Sequence, residues 1–174
     1  MISPDDFRQD PPSQKLIAPA VRVDTCAIAG VRLSGFTHGR DGRGTLRELL
    51  SQRAGDEAPI VHVYQVEAEA GSVRAWVYHN RQTDRLCFTQ GSFRVVLFDI
   101  RPDSPSRGEL VVIEAGHAKP LRIDIPPFVV HGVQNRGERC SFVNMPSRVY
   151  DPADPDKWRL PVDDPRIPYR FDET

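Results

Sequence analysis

Short β-branched runs, broken at roughly eight- to twelve-residue spacing by turn-forming residues, set the tightest limit on how this chain can fold. Segments 60–67, 73–79, 85–90, 93–100, 110–114, 121–125, 129–133 and 141–145 read as strands. Leu121-Arg122-Ile123-Asp124-Ile125 alternates apolar and polar with period two, as a half-buried strand does. The most apolar run, 93–100, stops at Arg101-Pro102-Asp103-Ser104-Pro105, which cannot continue a ladder. Sixteen prolines disfavour long helices. The pattern predicts an all-β chain, an antiparallel double-stranded β-helix or jelly roll, over residues 21–150. Segment 38–44 reads as a glycine-rich turn, and 45–50 is ambiguous between strand and helix. Ahead of the barrel, residues 1–20 form an irregular, proline-rich arm able to reach a neighbouring subunit. Behind it, residues 151–174 are rich in Asp and Pro. This tail is expected to lie across the barrel, partly helical or irregular, anchored by Trp158, Tyr169 and Phe171.

At 174 residues and 39% hydrophobic, the chain suffices for one domain with its own core. Its 23 basic and 24 acidic residues give a net charge of −1, so no global charge drives it to nucleic acid or an anionic membrane. No apolar run approaches a membrane span, and the first residues lack the basic start and apolar stretch of a secretory signal, so a cytoplasmic protein is expected. Cys26, Cys87 and Cys140 fit no metal spacing and read as reduced thiols.

Two stretches carry the chemistry. The first is GSVRAWVYHNRQTDRLCFTQG, residues 71–91, with His79 and Asp84 five apart between two glycines. The second is PPFVVHGVQN, residues 126–135, which contains His131. In order and spacing they resemble the two motifs of the cupin superfamily, with Val77 in place of the first histidine, Asp84 in place of Glu and Phe128 in place of a glycine. Residues two apart on a strand share a face. Val73, Ala75, Val77 and His79 therefore point one way, and Arg74, Trp76 and Tyr78 the other. Metal-dependent cupins use these histidines and the acid; His79, Asp84 and His131 would form a two-histidine, one-carboxylate face suited to iron(II) or a similar divalent ion. Alternatively, Asp84 pairs with Arg81 or Arg85 at the surface.

A second resemblance runs from about Ile28 to Phe171. IAGVRL at Ile28, GRDGRGTLREL at Gly39, Gln65 before SVRAW, FDIRPDSPSRGE at Phe98, IPPFVVHG at Ile125 and MPSRVYDP leading to DDPRIPY resemble the dTDP-4-dehydrorhamnose 3,5-epimerases. These are cupins that act without metal on nucleotide-linked 4-keto-6-deoxy sugars. The resemblance implies no cofactor and a dTDP-linked keto sugar as partner; a homodimer is expected because jelly rolls manage exposed edges by closure or pairing, and the proline-rich arm with the early strands can add to another subunit. The resemblance also implies that Arg43 and Arg74 meet the diphosphate, that Glu48 and Gln65 contact the nucleotide or order the arginines, and that His131 faces the sugar. It implies a catalytic histidine at the position of Val77, paired to an Asp at 163 or 164, between which the sequence does not choose although Asp164 stands among the substrate-binding candidates, and a tyrosine acid at the position of Asn144. Valine has no lone pair and asparagine does not titrate, so neither can act as a general acid or base. His79, two residues along the same face, is the candidate relocated base, with Tyr78, Tyr150 or water as acid and His131 polarising the keto oxygen. A non-catalytic binder of sugar nucleotides is the competing expectation.

Overall fold

The computed structural model describes residues 6–9, 22–51 and 59–172. The strands, in chain order, are β1 (Arg22–Thr25), β2 (Arg32–Ser34), β3 (Thr37–Asp41), β4 (Gly44–Glu48), β5 (Tyr64–Ala68), β6 (Val73–Tyr78), β7 (Asp84–Phe88), β8 (Ser92–Asp99), β9 (Leu110–Gly116), β10 (Leu121–Ile125), β11 (Val129–Asn135), β12 (Cys140–Asn144) and β13 (Trp158–Arg159). A six-stranded sheet runs β1-β2-β10-β7-β12-β5, and a five-stranded sheet runs β13-β6-β11-β8-β9. Every pairing is antiparallel. Two facing sheets with sequence neighbours distributed between them are the jelly roll that the spacing of the runs predicts.

Period-two alternation explains the core. Leu86, Phe88, Leu121, Ile123, Ile125 and Phe142 of the first sheet meet Phe93, Val95, Leu97, Ile113, Val129 and Val133 of the second. Strand β8 is apolar on both faces because Val96 joins Trp76, Val130 and Ile167 in a second cluster on the outside of its sheet. The C-terminal tail covers that cluster. Tyr169 and Phe171 pack on Trp76 with ring centroids 6.2 and 5.0 Å away, Trp158 stacks on Tyr78 at 6.3 Å, and Trp76 Nε1 donates to Val162 O. The contact is tight at Gly132, where a Cβ would lie 2.7 Å from Ala75 Cβ and 2.8 Å from Phe171 Cζ.

Some local expectations are corrected. Segment 38–44 lies in a β3–β4 hairpin turning at Gly42-Arg43, and Thr45 to Glu48 is strand. Residues 60–63 are irregular, so that strand starts at Tyr64. The tail has no helix in its described part; prolines leave it irregular except where β13 adds to β6. Apart from residues 6–9, the N-terminal arm lies outside the described residues. Cys87 is buried, Cys26 and Cys140 are half-buried, and none of the three forms a disulfide among the described residues. Among the described residues, no helix is long and apolar enough to cross a membrane.

Candidate active site

Strand β6 ends at Tyr78 and the chain turns back through the polar loop 79–83 into β7, which starts at Asp84. His131 comes from the middle of β11, directly opposite Val77. The three side chains meet in the barrel, all buried. His79 Nε2 lies 3.2 Å and His131 Nε2 3.4 Å from the same oxygen, Oδ2 of Asp84. Asp84 is therefore not a surface partner of Arg81 or Arg85; its other oxygen accepts a hydrogen bond from Gln82 Nε2 at 2.8 Å.

The second nitrogen of each ring faces a backbone carbonyl: His79 Nδ1 that of Asp156, and His131 Nδ1 that of Val129 at 3.2 Å. A carbonyl only accepts, so Nδ1 carries the proton in both rings and Nε2 is the variable position. Burial opposes ionisation of Asp84, but the hydrogen bonds and charges of His131 and His79 outweigh it and hold the carboxyl well below the usual carboxylate range. Burial pushes the His79 imidazole down. Asp84, with the carbonyl and charge of Asp156, pushes harder the other way, and the net shift is upward.

The loop that carries His79 is tied to the tail. Asp156 accepts from the backbone N–H of Asn80 at 2.8 Å, Arg81 at 2.8 Å and Gln82 at 3.1 Å, while Arg81 reaches Asp154. Consecutive amides converging on one carboxylate form a nest for negative charge. Side chain and carbonyl of one tail residue thus fix both the loop and the tautomer of His79.

Above the three residues opens a cavity of about 420 Å³, within the range of small-molecule sites. Its walls include Tyr64, Val77, Leu86, Phe142 and Asn144, and its cations are Arg74, Lys157 and Arg159. Strict alternation places Arg74 on the far face from Val77, and a bulge overrides it. Between the pairs His131↔Val77 and Val133↔Arg74 the register shifts, so Arg74 and Val77 serve one cavity. Lys157 sits among like charges: burial first, then Arg159 and Arg74, lower its pKa against the pull of Asp84. A second cavity of about 330 Å³ shares Tyr64, His79 and Lys157 with the first and is also lined by Tyr150.

His79, Asp84, His131, Asn144 and Arg74 therefore converge on one cavity, with Tyr150 at its neighbour. Arg43 and Glu48 do not line it within this chain. They lie on the separate β3–β4 hairpin, where Arg43 is 92% exposed and pairs with Asp41 at 2.6 Å. Gln65 is exposed on β5, between Tyr64 and Val66, which line the cavity. Asp164 is buried in a turn of the tail and binds Arg166 in a bidentate fork, outside the cavity lining; Asp163 is exposed. Sequence reasoning missed Tyr64, Asp156, Lys157 and Arg159. The alternation Tyr64, Val66, Ala68 marks an inward face and was a usable signal for the first. No local pattern marks the other three.

The family model for dTDP-4-dehydrorhamnose 3,5-epimerase matches residues 25–173. The chain is 32% identical over 148 residues to the spore coat polysaccharide biosynthesis protein SpsL of Bacillus subtilis, covering 83% of this chain and 96% of that one. It is 41% identical over 95 residues to the probable low-salt glycan biosynthesis epimerase Agl13 of Haloferax volcanii, covering 53% and 61%. Among solved structures, the fold matches a dTDP sugar isomerase from Desulfovibrio desulfuricans G20 with a TM-score of 0.78 at 24% identity, over 84% of this chain and 94% of that one. It also matches the dTDP-4-dehydrorhamnose 3,5-epimerase of Bacillus anthracis, solved with TDP and pyrophosphate bound, with a TM-score of 0.76 at 18% identity over 87% and 90%. The chain belongs to the dTDP-4-dehydrorhamnose 3,5-epimerase family and is an epimerase-like nucleotide-sugar enzyme.

Proposed function

We propose that this chain transfers protons at a carbon beside the ketone of a dTDP-linked 4-keto-6-deoxy sugar, with His79 as the base. The orientation of His79 carries the reading. Its Nδ1 proton is committed to Asp156 O, so Nε2 is the nitrogen able to gain a proton, and a proton gained there lies beside Asp84 Oδ2, 3.2 Å away. The carboxylate stabilises the imidazolium that forms. Proton removal next to a ketone also needs charge stabilisation at the enolate oxygen, and His131 with Lys157 supplies it from the cavity wall. Arg74 and Arg159 present planar donor forks for the diphosphate. The TDP bound by the Bacillus anthracis relative supports this class of ligand. Arg43 and Glu48, on a hairpin apart from the cavity, support a homodimer in which each hairpin serves the other copy; light scattering at a monomer mass would remove that part.

The test is incubation with dTDP-4-keto-6-deoxyglucose in D2O, following the C3 and C5 proton signals. Deuterium uptake above the buffer rate, abolished in His79→Ala, is the expected result. No uptake by the folded wild-type protein refutes the reading for this substrate.

The same donors support a second reading, a divalent-cation site. One ligand atom each from His79, Asp84 and His131 lies within 4.8 Å of the others, and both Nδ1–H groups are anchored to carbonyls as in ligating histidines. A bound ion would act there as a Lewis acid on the keto oxygen. Calorimetric titration with Mn(II) that shows no binding removes this reading; binding lost in Asp84→Asn supports it.

A further inference from the structure

Asn144 lies on β12. Its direct cross-strand partner on β5 is Tyr64. The amide of Asn144 is held in one orientation. Its Oδ1 accepts from the backbone N–H of Arg85 at 3.1 Å, so Nδ2 is the end that faces Tyr64 Oη, 2.8 Å away. In that bond the phenol oxygen accepts, and its own hydrogen is left to point elsewhere. No acceptor for that hydrogen is found among the described residues, and Tyr64 lines both cavities. Burial and the charge of Asp84, against the Asn144 bond, raise its pKa, which keeps the phenol protonated at neutral pH. Tyr64 comes from β5 of the six-stranded sheet and His79 from the loop after β6 of the five-stranded one, and both residues line both cavities.

We propose that Tyr64 is the acid that protonates the enolate carbon from the side opposite His79, with Asn144 as the positioning residue that turns its hydroxyl hydrogen toward the substrate. The inference rests on the reading of His79 as base. His79 Nε2 takes the proton beside the ketone; the electron pair of the C–H bond becomes the carbon–carbon double bond, and the carbonyl pair moves to oxygen. The enolate then reforms the ketone as its carbon takes the hydrogen of Tyr64. Imidazolium and phenolate remain, and they are restored when His79 releases its proton to solvent and Tyr64 regains one. No oxidant or reductant enters.

The experiment is the D2O incubation repeated with Tyr64→Phe, which removes one oxygen and keeps the ring, scoring deuterium uptake and inverted sugar separately. Uptake within about threefold of wild type with inverted product reduced by about a hundredfold or more is the expected outcome, the usual loss for one proton-transfer group. A merely structural role would lower both together and leave their ratio unchanged, which overturns the proposal. Inversion at the wild-type rate in Tyr64→Phe overturns it as well. Absence of uptake in the wild-type protein is a different failure: it removes the His79 reading and this inference with it.

Discussion

Replacing Asp156 with alanine is the sharpest probe of how the tail and the site depend on each other. The carboxylate accepts three consecutive backbone N–H groups at 2.8, 2.8 and 3.1 Å. Amide bonds to a charged acceptor contribute about 1.5–3 kcal/mol each when their loss leaves a buried donor unpaired. Arg81 is exposed and water re-solvates part of the loop, so a smaller share, about 1 kcal/mol per bond, applies. The resulting loss of about 3 kcal/mol lowers Tm by about 6–12 °C in a chain of this size. The more distant Arg81 contact, at 4.0 Å and exposed, adds little. Calorimetry measures the shift, and the D2O assay measures the coupled effect: the Asp156 carbonyl that holds His79 Nδ1 moves with its residue, so deuterium uptake falls as well. Burial opposes ionisation of Asp156, but its amide bonds outweigh it and hold the carboxyl below its ordinary value. Its contribution is therefore full above the unfolded pKa of about 3.9 and is lost as pH falls through the lower folded value, so the Tm gap between wild type and variant closes in acid. A Tm change under about 2 °C at neutral pH, with uptake unaltered, would refute the reasoning.

Three further outcomes follow from the geometry. His79 acts as a base only when Nε2 is unprotonated, and its pKa is raised, so kcat/KM climbs with pH through a value above about 6.5, and a midpoint below that counts against Asp84 as its partner. Gly132→Ala forces a Cβ onto Ala75 and Phe171 and costs about 1–3 kcal/mol in urea denaturation; an unchanged midpoint would mean that β6 and the tail both yield freely. Arg74→Gln weakens dTDP binding by about 10–100-fold in calorimetry, with a smaller salt dependence than wild type, and equal affinity for both proteins removes Arg74 from the diphosphate contacts.

The sequence by itself determined the all-β architecture, because period-two alternation and turn residues are local; Leu121 to Ile125 is the strand its alternation indicates, but it is buried on both faces rather than half-buried, since Arg122 and Asp124 pair with each other out of solvent. Motif spacing likewise grouped His79, Asp84 and His131, and in the structure both imidazoles face one oxygen of Asp84. Tertiary structure decided the rest of the site. Arg74 enters the cavity through a bulge that exists only in the pairing of β6 with β11, so face assignment from β6 alone misplaced it. Lys157, Arg159 and Asp156 arrive because aromatic residues of the tail dock on Trp76 and Tyr78, a long-range contact without a local periodic signal. Tyr64 became significant only when the β5–β12 register set it against Asn144. Strands announce themselves through nearest-neighbour chemistry, whereas a catalytic pocket is assembled by groups distant along the chain, and only packing brings those together.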